Sequence, residues 1–159
     1  MNERKLQAIL NIIGNNTRYE WIDEKNDYYF SVVDIIEHYT DLNNPRVYWL
    51  KLKEKLTNNS SFLSDMIIRR KMKSFDGSEQ VEDLIDIVGI FYIIESISSS
   101  KAESLKTWLS RLGSNRVNQF FDPSIGIEEA IEIYLSRGYS SEEINRIIYN
   151  LRNKKEKVS

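Results

Sequence analysis

The spacing of apolar residues changes period along this chain, and the change restricts it to an α+β fold. Residues 3–13 carry Leu6, Ile9, Leu10 and Ile13 on one helical stripe. Two aromatic-rich runs follow, Arg18-Tyr19-Glu20-Trp21-Ile22 and Tyr28-Tyr29-Phe30-Ser31-Val32, with the polar stretch Asp23 to Asp27 between them. That pattern predicts a β-hairpin. A second hairpin is predicted where Met66–Phe75 and Glu79–Asp86 flank Asp76-Gly77, a dipeptide suited to the positive φ of tight turns. Everything after residue 87 returns to helical spacing, so strands and helices are segregated as in an α+β domain.

The helix boundaries are marked by local chemistry. Gly14-Asn15-Asn16 stops the first helix. Ser31-Val32-Val33-Asp34 reads as a capping box opening a helix over about 32–40. Asn44-Pro45 starts another, to about Leu56, with Trp49, Leu52 and Leu56 on one face. Thr57 to Ser64 reads as a polar loop. Residues 87–97 form a very apolar helix, with Phe91 in the core. Ser100 and Glu103 form a capping box for a helix with Leu105, Trp108, Leu109 and Leu112 inward. Asp122-Pro123 breaks the chain before helices at about 127–136 and 141–153. Gly138 closes the first of these, and Ser140 with Glu143 caps the second.

Composition narrows the function classes. The 159 residues contain no cysteine, which removes disulfides and thiolate chemistry, and one histidine, His38, which leaves little for a zinc site or a histidine triad. No apolar run approaches the roughly 20 residues of a membrane span. The charged N-terminus is unlike a secretory signal, so a cytoplasmic protein is expected. The net charge of −2 does not by itself favour nucleic acid, so any such case rests on where the charges sit.

They are unevenly placed. Between 46 and 73 stand Arg46, Lys51, Lys53, Lys55, Arg69, Arg70, Lys71 and Lys73 against Glu54 and Asp65, a local net charge of +6. The helix pair over 32–56 has the layout of a helix-turn-helix, a pattern that packed helical hairpins share. In the strand before Asp76-Gly77, Arg69, Lys71 and Lys73 fall on one face because strand side chains alternate. A basic helix followed by a basic hairpin resembles the helix-plus-wing arrangement of winged DNA-binding domains. Such cations can neutralise phosphates and release counterions. The partner strand carries Glu79, Glu82, Asp83 and Asp86, so cross-strand salt bridging is an equally available use of the same charges. Spacing leaves both readings open.

Several ordered motifs resemble a known family. Tyr29-Phe30-Ser31-Val32-Val33-Asp34-Ile35-Ile36, then Asn44-Pro45-Arg46-Val47-Tyr48-Trp49 with Lys51 and Lys53, is similar to the BRO family N-terminal domain. That family includes prophage antirepressor-like proteins, and the subgroup with DNA-damage-inducible protein D is the most alike. The likeness runs on through Asp76-Gly77, the segment Gly89–Ile97 and Lys101-Ala102-Glu103-Ser104-Leu105-Lys106-Thr107-Trp108-Leu109, then Gly113, Arg116, Asp122-Pro123 and Gly138-Tyr139-Ser140. It covers roughly residues 18–145. Departures occur at Ser100 and Ser104, where relatives often have proline, and at Ser78, where they have a base. Many relatives also carry a further C-terminal region.

The resemblance implies double-stranded DNA binding in transcription regulation, phage or DNA-damage-linked, in a bacterial or phage-encoded protein. The site residues it implies are Arg46, Lys51, Lys53 and Lys55 on the helix and Arg69, Lys71 and Lys73 on the hairpin. Tyr48 either stacks on a base or sugar or packs. Lys101 and Lys106 either belong to the site or form fixed salt bridges with Glu103 or a neighbouring acid. The alternative function is a protein-interaction module, an antirepressor, docking on a repressor or a DNA-repair protein through an apolar face such as Ile144, Ile148 and Leu151. A homodimer would supply two half-sites.

No enzyme is expected. Glu82 and Asp83 are adjacent in a strand and point to opposite faces, while Glu128 and Glu129 sit at a helix start where acids favour the dipole. His38 reads as structural rather than as a general base. With no glycine-rich phosphate loop and no metal-ligand spacing, no cofactor and no metal are expected. The fold expected is two small β-hairpins packed on a helical core with a winged-helix-like segment, then a C-terminal helical pair. The organisation expected is an amphipathic helix (1–14), a DNA-binding domain (15–122), and the helical pair with a charged tail (123–159).

Overall fold

In the computed structural model, residues 3–157 are described. The elements are α1 (Glu3–Ile13), β1 (Tyr19–Ile22), a 3-10 turn (Asp23–Lys25), β2 (Asp27–Ser31), α2 (Val32–Tyr39), α3 (Pro45–Asn59), α4 (Phe62–Met66), β3 (Ile68–Lys73), β4 (Glu79–Ile85), α5 (Ile87–Ile94), α6 (Ser100–Phe121), α7 (Ser124–Ser136) and α8 (Ser141–Glu156). This is the α+β fold expected, with two hairpins, a helical core and a C-terminal helical pair. The hairpins share one antiparallel sheet, ordered β1-β2-β4-β3. Among the described residues no helix is long and apolar enough to cross a membrane.

The chain divides into two compact units, Met1–Thr107 and Trp108–Ser159. The division falls within α6, whereas the sequence placed a boundary at the Asp122-Pro123 break between α6 and α7, and α1 belongs to the first unit.

In the first unit, the core is built from Phe30, Ile35, Ile36, Leu84, Ile85, Ile90, Ile93 and Ile94, all fully or almost fully buried. The two hairpins meet at Phe30↔Ile85 and Ser31↔Leu84. There β2 ends, because Ser31 turns the backbone into α2, its hydroxyl accepting from the Asp34 N–H at 3.3 Å. Beyond that point the edge of β4 is free for helices.

The second hairpin closes as its sequence predicts. Asp76 Oδ1 accepts from the Ser78 N–H and hydroxyl, and Gly77 takes φ +83. β3 and β4 pair from Ile68↔Leu84 to Lys73↔Glu79.

In three places the structure departs from expectation. The segment Thr57–Ser64 is largely helical: α3 continues to Asn59, helped by the Thr57 hydroxyl donating to the Lys53 carbonyl, and α4 follows. Its polar residues obscured an apolar anchor, since Leu63 is fully buried and the Phe62 ring lies edge-on to Tyr92. At the start of α6 the cap is Ser99, whose Oγ accepts from the Ala102 N–H, while Glu103 turns instead to Lys106. Three consecutive serines made the frame ambiguous. Trp108 and Leu112, expected inward, are 42% and 45% exposed, and Phe91 is half-buried; Ala102 and Leu105 are the buried residues of α6. A helix of 22 residues is about 33 Å long, so only its first turns lie on the core.

α1 ends at Gly14, which has φ +104 and donates its N–H to the Leu10 carbonyl. A Cβ there would approach His38 Nδ1 to 2.8 Å. Backbone conformation and space both require glycine. Gly14→Ala is expected to lower folding stability by about 1–2 kcal/mol, measured by urea unfolding, by adding strain and a clash.

Candidate functional site

The basic segment gathers around β4. Asn44 caps α3, its Oδ1 accepting from the Val47 N–H, with Pro45 as the first helical residue. This start fixes the rotation of α3, and Arg46, Trp49 and Lys53 then share one stripe. The stripe faces the β4 edge where β2 has ended. Arg46 forms a two-pronged pair with Glu82, Nη1 to Oε2 at 3.0 Å and Nη2 to Oε1. Trp49 Nε1 and Lys53 Nζ both donate to Asp83 Oδ2, at 2.8 and 2.9 Å.

Arg18 completes the cluster from the other side. Its Nε and Nη2 bind Asp34 at 2.8 and 2.9 Å, and Nη2 also reaches Glu82 Oε1 at 3.2 Å. Its Nη1 donates to the Lys73 carbonyl at 3.2 Å, fastening the end of β3. Glu82 is thus held between two guanidiniums with only 1% of its surface exposed. The Asp34 hydrogen bond raises the Arg18 pKa above its ordinary value, and the Glu82 hydrogen bond does the same for Arg46. In both cases the hydrogen bonds and charge of the acids outweigh desolvation, which acts in the opposite direction.

The β3–β4 register places Arg69 opposite Asp83 and Arg70 opposite Glu82, so the adjacent acids do point to opposite sides. Asp83 Oδ1 is buried without a hydrogen bond and faces Arg69 Nε at 3.4 Å. Trp49 and Lys53 reach Asp83 on the side from which Arg69, Lys71 and Lys73 project. Helix α3 therefore meets the free edge of β4 from both faces, through Glu82 on one and Asp83 on the other, and Asp83 lies on the face that carries Arg69, Lys71 and Lys73.

The residues singled out in the sequence fall into two groups. Arg46, Lys53 and Arg69 are engaged with Glu82 and Asp83. Lys51, Lys55, Lys71 and Lys73 are exposed, and none forms an ion pair among the described residues. Lys71 stands opposite Val81 across the hairpin, and Lys73 opposite Glu79. Tyr48 is half-buried. Lys101 donates to the His38 carbonyl at 3.2 Å, at the end of α2, and Lys106 pairs with Glu103 at 2.9 Å. Arg18 was not singled out in the sequence. Its signal was indirect: two acids inside the run Val81-Glu82-Asp83-Leu84-Ile85 require cations if that strand is buried.

No group of three or more His, Cys, Asp or Glu side chains that could hold a metal occurs among the described residues. His38 has its pKa lowered by partial burial and then by Lys101. No protein-family model, curated protein or solved structure matches the chain.

Removing one member of the buried cluster has a large expected effect. Glu82→Ala should cost about 3–5 kcal/mol in urea unfolding, because Arg18 and Arg46 lose their shared carboxylate. Lys71→Ala should stay within about 0.5 kcal/mol. For His38, the folded pKa lies below the ordinary 6.5, so its contribution to stability is full above that pH and is lost as pH falls through the lowered value. The single imidazole signal in an NMR titration should give that lowered value directly, and Lys101→Ala should move it upward.

Proposed function

We propose that this chain is a DNA-binding regulatory protein of the BRO and phage antirepressor type, rather than an enzyme. It contacts duplex DNA through the outer face of α3 and the exposed face of β3. The observation that carries this reading is the set of lysines without internal partners, Lys51 and Lys55 on α3 and Lys71 and Lys73 on β3, on two elements tied to each other through Asp83. Their charge is available to phosphate, and the pairs that Lys53 and Arg69 make with the buried Asp83 link the elements that carry it. Arg46, Lys53 and Arg69 then act mainly by positioning these elements. The hairpin tip adds an exposed Phe75 beside Lys73, suited to lie against sugar or a groove wall.

The second reading is an antirepressor module that docks on a repressor or DNA-repair protein. What favours it is the apolar surface of α7 and α8: of the three residues expected on the docking face, Ile148 and Leu151 are exposed while Ile144 is buried, and Ile127 of α7 is exposed beside them. The two readings separate in one titration. Fluorescence anisotropy with random duplex DNA should show binding that weakens with salt. Four neutralised phosphates give a log–log slope of about −3 to −4. The variant carrying Lys71→Glu and Lys73→Glu should flatten that slope by about two while unfolding at the same urea concentration as the parent. Lys53→Glu is unsuited to this test because it sets a carboxylate against Asp83. Absence of binding at micromolar protein and low salt would reject the DNA reading and favour the docking module.

A further inference from the structure

A cleft of about 540 Å³ runs between the approach to β1 and the outer end of β3. Its size lies within the roughly 300–1,000 Å³ of small-molecule sites. The sheet order leaves the outer edge of β3 unpaired. At the hairpin end Ser74 donates its N–H to the Ser78 carbonyl at 2.8 Å. Antiparallel alternation then turns the backbone N–H and C=O of Lys73 and Lys71 away from β4, toward that edge. The Lys73 carbonyl is taken there by Arg18 Nη1 at 3.2 Å, which sets the edge against the chain entering β1. The N–H groups of Lys71 and Lys73 have no backbone partner among the described residues.

The lining combines three kinds of group. Lys71 and Lys73 supply positive charge and form no ion pair among the described residues. Glu20 is the only acid in the lining, and Arg18 is committed to Asp34 and Glu82. Tyr19, 44% exposed, and Phe75, 91% exposed, add an aromatic ring from each wall. Asn15 and Asn16 add side-chain amides, each able to donate and to accept hydrogen bonds. Cations hold phosphate, aromatic rings stack on a base, and amides pair with its edge. An inorganic anion would use only the first of these. A base inside a duplex could not use the second, because its neighbours cover both of its faces.

We infer that this cleft binds one nucleoside phosphate, with the phosphate on Lys71 and Lys73 and the base against Tyr19 and Phe75. The nucleotide is either free or an unpaired unit of a strand, and both present the same chemistry. The site shares two lysines with the proposed duplex surface and does not depend on that reading.

Amide chemical shifts of the full chain, followed by NMR titration, test this. Adenosine 5′-monophosphate should shift residues 15–20 and 71–75 together, with a dissociation constant at or below about 1 mM. Ribose 5-phosphate, which lacks the base, should bind more weakly by about 10-fold or more. Phe75→Ala should weaken the nucleotide about 5–10-fold, and Lys73→Gln by a similar factor, each variant unfolding at the parent's urea concentration. A single-stranded octanucleotide that shifts the same amides about 100-fold more tightly than the mononucleotide identifies a strand as the source, and comparable affinity identifies the free nucleotide. Absence of shifts in the cleft with both nucleotide probes overturns the inference, whether or not duplex DNA binds. Failure of duplex binding alone rejects only the duplex reading. Ribose 5-phosphate as tight as the mononucleotide, or a Phe75→Ala variant of parental affinity, would each overturn the inference as well.

Discussion

Glu82 sits in the middle of β4, almost wholly out of water, and is held by the guanidiniums of Arg18 and Arg46. A carboxylate in that position is sustainable only if cations and hydrogen bonds replace the water it has lost. The elements around it are arranged to provide them. Arg18 comes from the approach to β1 and is itself fixed by Asp34 at the start of α2. Arg46 comes from the first turn of α3. A single buried anion therefore couples the two hairpins to two helices. Asp83, one residue further on, binds α3 again through Trp49 and Lys53.

The same cluster divides the basic surface. A local excess of positive charge between 46 and 73 looks uniform in the sequence, but the acids of β4 neutralise only those bases that lie against its edge. Arg46, Lys53 and Arg69 take that role. The remaining lysines project from the outer side of α3 and from β3 into solvent. Internal salt bridging and an available cationic face, which spacing alone could not separate, thus coexist on the same two elements. Residue type does not decide which base does which; place against the two acids does, through the inner stripe of α3 for Arg46 and Lys53 and through the register opposite Asp83 for Arg69.

The two units differ in how they are built. In the first, sheet and helices enclose a core of aliphatic side chains around Phe30, Leu84 and Ile85. The second is held by polar devices as much as by burial. Asn115 and Gln119 of α6 both bind Glu129 of α7. The Ser140–Glu143 capping box opens α8. Its aliphatic residues lie in stripes, as in a bundle helix, without the layer that would complete a bundle.

Local signals were legible wherever one short stretch of chain contains the whole interaction. The stop at Gly14, the caps at Asn44 and Ser140, the Asp76-Gly77 turn and the alternation of β3 all appear in the structure as the sequence predicts, whereas at Ser31 the hydroxyl caps α2 but the expected box stays open because the Asp34 carboxylate binds Arg18. The α+β class follows from the same periodicities. The sequence was ambiguous where neighbouring residues compete for one role, as at Ser98-Ser99-Ser100, or where a single buried side chain organises a polar segment, as Leu63 does in α4. Only the tertiary structure decided which acids are buried and which bases they hold. Glu82 meets Arg18 and Arg46 across 64 and 36 intervening chain steps, and no periodicity reports such a pairing. The physical reason is that capping and turn formation are properties of contiguous backbone, whereas a charge is buried or exposed according to what the rest of the fold places beside it.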